Sequence, residues 1–269
     1  MNKLVQNCTN RNIPEPMQRE IRRRCGFGCV ICGLPLYEYE HMLGWANVKR
    51  HVASEITLLC NFHHRERSGG LLPIENVMAA DKAPFNLKSG VTKPYNFHFS
   101  GTEASVEIGS NTFIINTQIK NKTSQFIPLM IDCYSLIEFR FEDGQMLLNL
   151  IIFDEFNIPI LQIKDNILMY SAYLWDIEFV AKKITIRTKS RVILIEIEFC
   201  PPDKIKILRG KMLCNGVEVA INKNDVSINK DLIIQGNTVR CSPVGILIGL
   251  NAINSPGTIS YPYVSRYIR

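Results

Sequence analysis

Two pairs of metal-binding side chains occur in the first third of the chain. Cys29 and Cys32 form a C-x2-C pair, Cys60 and His63 form a C-x2-H pair, and 27 residues separate the two pairs. Two thiolates with two residues between them can bind one ion from a single tight turn. Two such turns supply the four ligands of a tetrahedral site. Because four protein ligands leave no position for water, the spacing predicts a structural zinc site that stabilises a small module.

Two alternatives apply to these cysteines. Buried free cysteines can pack as small apolar side chains without any metal. Cys25 is a competing ligand, but it continues an apolar stripe in a predicted helix, so we assign it to packing. The presence of a second pair that includes a histidine favours zinc over simple packing.

A carboxylate and two further histidines accompany the pairs. Glu40 and His41 are adjacent, and His64 directly follows the second pair. A histidine can take a proton from water near neutral pH, and a metal held by a carboxylate and an imidazole can offset phosphate charge. These residue types can therefore supply ligands for a second metal ion and a proton acceptor beside it. Glu38 should lie on the same strand face as Glu40, where it could support the site or simply be solvated, and we favour solvation.

Short elements must position these side chains. Apolar residues recur every four positions in the first of them, which is typical of a helix with one buried face. We predict helices over residues 13–26, 62–67 and 73–82, and strands over Tyr37–Met42 and Glu55–Leu59. Two strands followed by a helix would form a ββα unit around the cysteines.

The pattern changes after about residue 90. Runs such as NTFIIN, MLLNLIIF, ILMYSAYLW and RVILIEIEF are rich in β-branched and aromatic residues, as antiparallel strands are. Asp143-Gly144 and Asn215-Gly216 are turn signals. The predicted fold class is α+β, with a small zinc-stabilised ββα-metal module at residues 1–88. A linker at Leu87–Pro94 would lead to an all-β sandwich or barrel-like domain at residues 95–269.

The order of these motifs resembles the HNH endonucleases, which have the ββα-metal fold. The segments CVICG, EYEHM and ITLLCNFHHRERSGGL carry the resemblance, which covers roughly residues 13–80. The motif order is also similar to that of stand-alone bacterial HNH proteins, in which a β-rich region follows the nuclease module. The resemblance implies that His41 is the general base, and that Glu40 and His64 bind a catalytic Mg²⁺ or Mn²⁺. It also implies DNA as substrate and, by analogy alone, a role in anti-phage defence.

The chain departs from the family pattern at two positions. Glu55 stands where the family usually has an asparagine that ties the loop, and a carboxylate accepts hydrogen bonds but cannot donate like an amide. Glu55 could instead add a carboxylate near the ion, and Asn47 or His51 could replace the asparagine. We weigh a supporting role for His51 equally against a role in loop structure. The acid before the base is also Glu40 rather than the commoner Asp.

The charge is compatible with a polyanionic partner without requiring one. The net charge is +6, and residues 1–90 carry 12 Lys and Arg against 8 Asp and Glu, or +4. DNA contacts are expected from basic residues near the motifs and at the end of the first helix, where a solvated helix end is an equal alternative. These residues are Lys49, Arg50, Arg65 and Arg67, together with Arg22–Arg24.

Cysteine usage and hydropathy predict the compartment. The nine cysteines are odd in number and partly clustered, which favours metal binding by reduced thiols. The first residues, MNKLVQNCTNRN, lack the apolar core of a signal peptide, and no apolar run reaches the ~18–20 residues of a membrane span. We therefore expect a cytoplasmic protein with no membrane partner.

Two other functions compete with the nuclease. A zinc-stabilised DNA-binding module or a scaffold would keep the cysteine pairs but have a degenerate nuclease site, and the Glu55 departure favours these. The β-rich half shows no catalytic pattern. It could mediate homo-oligomerisation, clamp DNA or bind a regulatory partner protein.

Overall fold

The computed structural model describes residues 6–7, 11–117, 124–169, 176–180, 182–253 and 258–267. It divides the chain into two compact units. The first comprises residues 1–95 with residues 167–170, and the second comprises residues 96–166 and 171–269. The fold is α+β, with a large β-rich part and most helices in the first unit. Within the described ranges, no helix has both the length and the apolar composition needed to cross a membrane.

The first unit alternates short strands and helices. In chain order they are β1 (Gln6–Asn7), α1 (Glu15–Arg24), β2 (Glu38–His41), α2 (Trp45–Val48), β3 (Arg50–His51), β4 (Ile56–Leu59), α3 (Asn61–Ser68), α4 (Ile74–Lys82) and α5 (Phe85–Ser89). A single 3-10 turn, Ala53–Glu55, precedes β4. The predicted strands and helices are present, with ends shifted by one or two residues.

The ββα unit consists of β2, β4 and α3. β2 and β4 pair antiparallel, so that Glu40 lies opposite Thr57 and His41 opposite Ile56. All four residues of β4 are buried, which explains why the ITLL segment does not alternate apolar with exposed polar residues. Only Cys60 separates β4 from α3, which begins at Asn61. A core that includes Ile21, Leu58 and Val77 packs beneath this unit.

The predicted linker is part of the first unit instead. α5 covers its first residues, and the buried Asn86 side chain donates to the carbonyl of Gly26 at 2.8 Å. Farther along, the Lys93 amide donates to the carbonyl of Gly33 at 3.1 Å, and the Thr92 amide donates to that of Leu168 at 3.0 Å. The segment therefore supports the cysteine loop.

Two of the three consecutive arginines at the end of α1 are internal. Arg22 is 1% exposed and donates to the Tyr39 hydroxyl at 2.7 Å. Arg24 forms an ion pair with Asp81 and donates to the carbonyls of Ala53 and Ile56. Only Arg23 of the three has an exposed side chain, so a solvated helix end is present at Arg23 alone.

The second unit is built almost entirely from strands. In chain order, and including β12 of the first unit, they are β5 (Phe97–His98), β6 (Glu103–Ile108), β7 (Asn111–Asn116), β8 (Ser124–Ile131), β9 (Tyr134–Glu142), β10 (Gln145–Phe153), β11 (Pro159–Lys164), β12 (Ile167–Met169), β13 (Asp176–Val180), β14 (Lys183–Lys189), β15 (Val192–Cys200), β16 (Lys204–Cys214), β17 (Val217–Ile221), β18 (Val226–Ile228), β19 (Leu232–Ile234), β20 (Thr238–Arg240), β21 (Val244–Ile248) and β22 (Ile259–Tyr261). Residues 170–175 of the strand-like run ILMYSAYLW lie outside the described part.

Most strands of the second unit fall into two series of paired strands, which are joined where Phe153 of β10 pairs with Leu213 of β16. One series runs β13–β14–β15–β16–β6–β7–β20, and β17, β18 and β19 continue from the other half of β16. The other series runs β11–β10–β9–β8–β21–β22. Buried residues alternate along many of the strands, as in β17. Both predicted turns are confirmed, since Asp143-Gly144 joins β9 to β10 and Asn215-Gly216 joins β16 to β17, all with positive φ.

The basic side chains of β14–β16 are paired with acids. The largely buried Glu196 lies 3.5 Å from Lys183 and 3.4 Å from Arg209. Lys182, just before β14, lies 3.1 Å from Glu198. Because these cations already face carboxylates, the outer face of these strands is not uniformly basic.

Substitution of neighbouring arginines on α1 should separate internal from surface roles. Arg24→Ala leaves Asp81 without its cation and two carbonyls without a donor, so we expect a loss of about 2 kcal/mol in the free energy of unfolding. Arg23→Ala changes an exposed side chain and should alter that free energy by less than about 0.5 kcal/mol. Urea unfolding of the zinc-saturated full chain measures both. Equal effects of the two substitutions would contradict the assignment.

Candidate functional site

The four predicted zinc ligands converge on one point. The ligand atoms of Cys29, Cys32, Cys60 and His63 all lie within 4.8 Å of one another. The Cys32 and Cys60 sulfurs are 3.8 Å apart, and His63 Nδ1 lies 3.2 Å from Cys60 Sγ and 3.4 Å from Cys29 Sγ. A tetrahedron with Zn–S bonds of ~2.3 Å has S···S edges of ~3.8 Å. The cluster could therefore hold a zinc ion.

Backbone hydrogen bonds fold the loop that carries Cys29 and Cys32. The Gly33 amide donates to the carbonyl of Cys29 at 2.8 Å, and the Cys29 amide donates to that of Leu34 at 2.9 Å. Gly33 has φ +79°, and a Cβ at this position would collide with the side chains of Asn86 and Phe85. Only glycine fits this turn without strain, so the tight loop is built into the sequence CVICG.

The thiols of the cluster shift one another's protonation. A hydrogen bond from Cys32 lowers the pKa of Cys29 to about 4. The Cys32 pKa is raised, first by that same bond and then by burial. Burial raises the pKa of Cys60, and the charge of Cys29 acts in the same direction. The cluster therefore favours one thiolate by itself, and further thiolates require a cation to offset their charges.

A second group of candidate ligands lies between β2 and α3. Glu40 Oε2 is 3.1 Å from His64 Nε2, and the Glu40 side chain is only 15% exposed. Burial raises the pKa of Glu40 above its ordinary value, while the charges of His64 and Arg67 oppose the shift. Two ligands at right angles around a divalent ion with bonds of ~2.1 Å are ~3.0 Å apart. The donor atoms and their spacing thus fit a divalent cation.

Glu38 also reaches this group. Its Oε2 lies 3.4 Å from His64 Nδ1, although the side chain is 52% exposed. Glu38 and Glu40 share one face of β2, as the two-residue period of a strand requires. The expectation that Glu38 is only solvated is therefore incomplete, because the His64 ring lies between two carboxylates.

His41 belongs to a separate aromatic cluster. It is 8% exposed, and His51 is fully buried. His41 Nε2 lies 3.1 Å from His51 Nδ1, and the Trp45 ring stacks on His51 with centroids 4.8 Å apart. Burial lowers the pKa of His41, and the charge of His51 adds to the shift. The neutral ring that a general base requires is therefore the favoured form.

Glu55 ties the loop between the paired strands. Arg50 Nη2 donates to Glu55 Oε1 at 2.7 Å, and Arg50 Nε donates to Oε2 at 3.3 Å. The Met42 amide also donates to the Glu55 carbonyl at 2.9 Å. The side chain of Glu55 is thus engaged with Arg50, while Asn47 donates to the carbonyl of Leu43 on the loop surface.

The candidate DNA-binding residues differ in exposure. Lys49 and Arg65 are exposed, whereas Arg67 is half-buried and its charge acts on Glu40. Sequence reasoning missed Arg11, whose exposed side chain acts electrostatically on both Glu40 and His41. No spacing rule links Arg11 to the motifs, because its position depends on the path of the chain before α1.

Comparisons with known proteins assign no family to this chain. The chain matches no protein-family model, and neither curated proteins nor solved structures gave a match.

Zinc analysis should distinguish the cluster from its nearest cysteine. We expect about one zinc per purified chain, and Cys32→Ala should reduce zinc retention because a tetrahedral site loses one of its ligands. Cys25→Ala is the matched control, since Cys25 Sγ lies near Thr57 and Asp81 instead. Elemental analysis after dialysis measures the content. Equal zinc loss in both variants, or no zinc in the wild type, would contradict the prediction.

Proposed function

We propose that the first unit is a metal-dependent HNH endonuclease that hydrolyses DNA phosphodiester bonds. The observation that carries the proposal is the pairing of Glu40 on β2 with His64 on α3 at 3.1 Å. Glu40 and His64 belong to the strand–strand–helix unit of β2, β4 and α3. The same part of the chain contains the four-residue cluster that could hold zinc. Either feature alone could occur in a protein that cleaves no DNA, but their combination supports a ββα-metal nuclease.

Glu40 and His64 would hold the catalytic Mg²⁺ or Mn²⁺. Both side chains are supported from rigid elements, since Glu40 lies in a paired strand and His64 in the first turns of α3. A divalent ion held there would neutralise charge on the scissile phosphate and on the departing oxygen. Arg67 and Arg11, which act on Glu40 electrostatically, would add positive potential where the phosphate approaches.

His41 would act as the general base. Its lowered pKa keeps the ring neutral near pH 7, and the bond to His51 fixes the ring orientation. A water molecule would give one proton to His41 while its oxygen forms a bond to phosphorus. The bond from phosphorus to the 3′ oxygen would then break, and that oxygen would take up a proton. The products would be a 5′ phosphate and a 3′ hydroxyl.

A zinc-stabilised DNA-binding module is the second candidate. The observation that favours it is the environment of His41, which is buried and has Nε2 engaged by His51. The Glu55 side chain, at the position of the family's asparagine, is likewise occupied by Arg50. A binding module would retain DNA affinity through residues such as Lys49 and Arg65 without cleaving the DNA.

Plasmid nicking should separate the two candidates. We expect the zinc-loaded chain to nick supercoiled DNA when Mg²⁺ or Mn²⁺ is added, and His41→Ala to lower the rate at least about 100-fold because the base is lost. His98→Ala, an exposed histidine of the second unit, is the matched control and should cut at the wild-type rate. Gel analysis of relaxed and linear products gives the rates.

Two results would reject parts of this proposal. DNA binding without nicking under either metal ion would favour the binding module. Nicking that persists in His41→Ala but disappears in Glu40→Ala would retain the enzyme and exclude His41 as its base.

A further inference from the structure

His64 contacts two carboxylates through opposite sides of its ring. Nε2 faces Glu40 Oε2 at 3.1 Å, and Nδ1 faces Glu38 Oε2 at 3.4 Å. The two glutamates lie on one face of β2 at positions separated by two residues, a span of ~6.7 Å along a strand. The ring bridges this span from α3, so each ring nitrogen has its own carboxylate.

The two carboxylates differ in their surroundings. The Glu40 side chain is 15% exposed, and that of Glu38 is 52% exposed. Arg67 and Arg11 act electrostatically on Glu40. Glu38 lies at the outer end of the arrangement, where it can contact His64 without competing for the position between Glu40 and Nε2.

A neutral histidine carries only one ring hydrogen, so one nitrogen donates and the other accepts. A metal ligand must offer its lone pair to the ion, and the hydrogen must then be on the other nitrogen. In metal sites this second nitrogen commonly donates to a carboxylate, which fixes both the tautomer and the ring orientation. Glu38 is placed to accept such a hydrogen from Nδ1.

We propose that Glu38 is a positioning residue for the divalent-ion site. Its carboxylate accepts the Nδ1 hydrogen of His64 and thereby directs the Nε2 lone pair towards the ion-binding position beside Glu40. This inference rests on the proposed function, because the ion that Glu40 and His64 bind is the ligand for which the ring is positioned. Glu38 does not touch the reacting atoms.

Mn²⁺ binding to the full, zinc-loaded chain tests the inference without depending on DNA cleavage. Glu38→Ala should weaken Mn²⁺ binding about 10–100-fold, as loss of an outer carboxylate does at other metal sites. Glu38→Gln should have an intermediate effect, because the amide oxygen still accepts a hydrogen bond but carries no charge. Glu75→Gln is the matched control for charge, since Glu75 is exposed on α4. Electron paramagnetic resonance of free Mn²⁺ gives the affinities.

Nitrogen NMR of the imidazole rings in the Mg²⁺-loaded protein supplies a second measurement, the tautomer of His64. A role of Glu38 in stability alone would leave this tautomer unchanged. We expect the wild-type His64 ring to carry its hydrogen on Nδ1, and Glu38→Ala to populate the other tautomer. Zinc content and circular dichroism verify that each variant is folded.

The outcomes distinguish the role of Glu38 from the proposed nuclease activity. Mn²⁺ binding and tautomer that are unchanged in Glu38→Ala, alongside Mn²⁺-dependent nicking by the wild type, would reject the role of Glu38 alone. A wild-type chain that retains zinc but binds no Mn²⁺ would overturn both this inference and the proposed nuclease.

Discussion

The convergence of three thiols and one imidazole is the constraint on which the first unit depends. Cys29 and Cys32 come from a tight loop, whereas Cys60 and His63 come from the junction of β4 and α3. The two segments also share a hydrogen bond from the Val30 amide to the Leu58 carbonyl at 3.0 Å, and metal binding in small domains supplies much of their folding free energy. The same junction sets where α3 begins. Successive helical residues point about 100° apart, so His63 reaches the cluster while His64 reaches β2.

A contact between two charged side chains shapes the loop between the paired strands. Arg50 and Glu55 form a two-point contact across the loop, and β1 pairs with β3 so that Gln6 lies opposite His51. A bidentate guanidinium–carboxylate contact has a defined geometry, so it can set the conformation of a short loop. Glu55 is therefore compatible with an ordered loop.

Local patterns predicted much of this arrangement. The cysteine and histidine spacing identified the cluster, period-two alternation identified many strands, and Asp143-Gly144 identified a hairpin, because each of these signals is contained in a few neighbouring residues. The roles of Arg22, Arg24 and Glu38 were not predictable in the same way. Their partners Tyr39, Asp81 and His64 are distant in sequence, and a run of arginines at a helix end looks the same whether it is solvated or internal.

The adjacency of His63 and His64 has a consequence for experiments that remove metal ions. If zinc left the cluster, the first turn of α3 would lose its anchor at His63, and the neighbouring ring would lose its alignment with Glu40. A chelator that removed zinc would therefore also disturb the Glu40–His64 pair, so loss of the proposed nuclease activity on chelation would not identify which ion had been released. Restoration by Mg²⁺ or Mn²⁺ after chelation is informative only when the zinc content of the same sample has been measured.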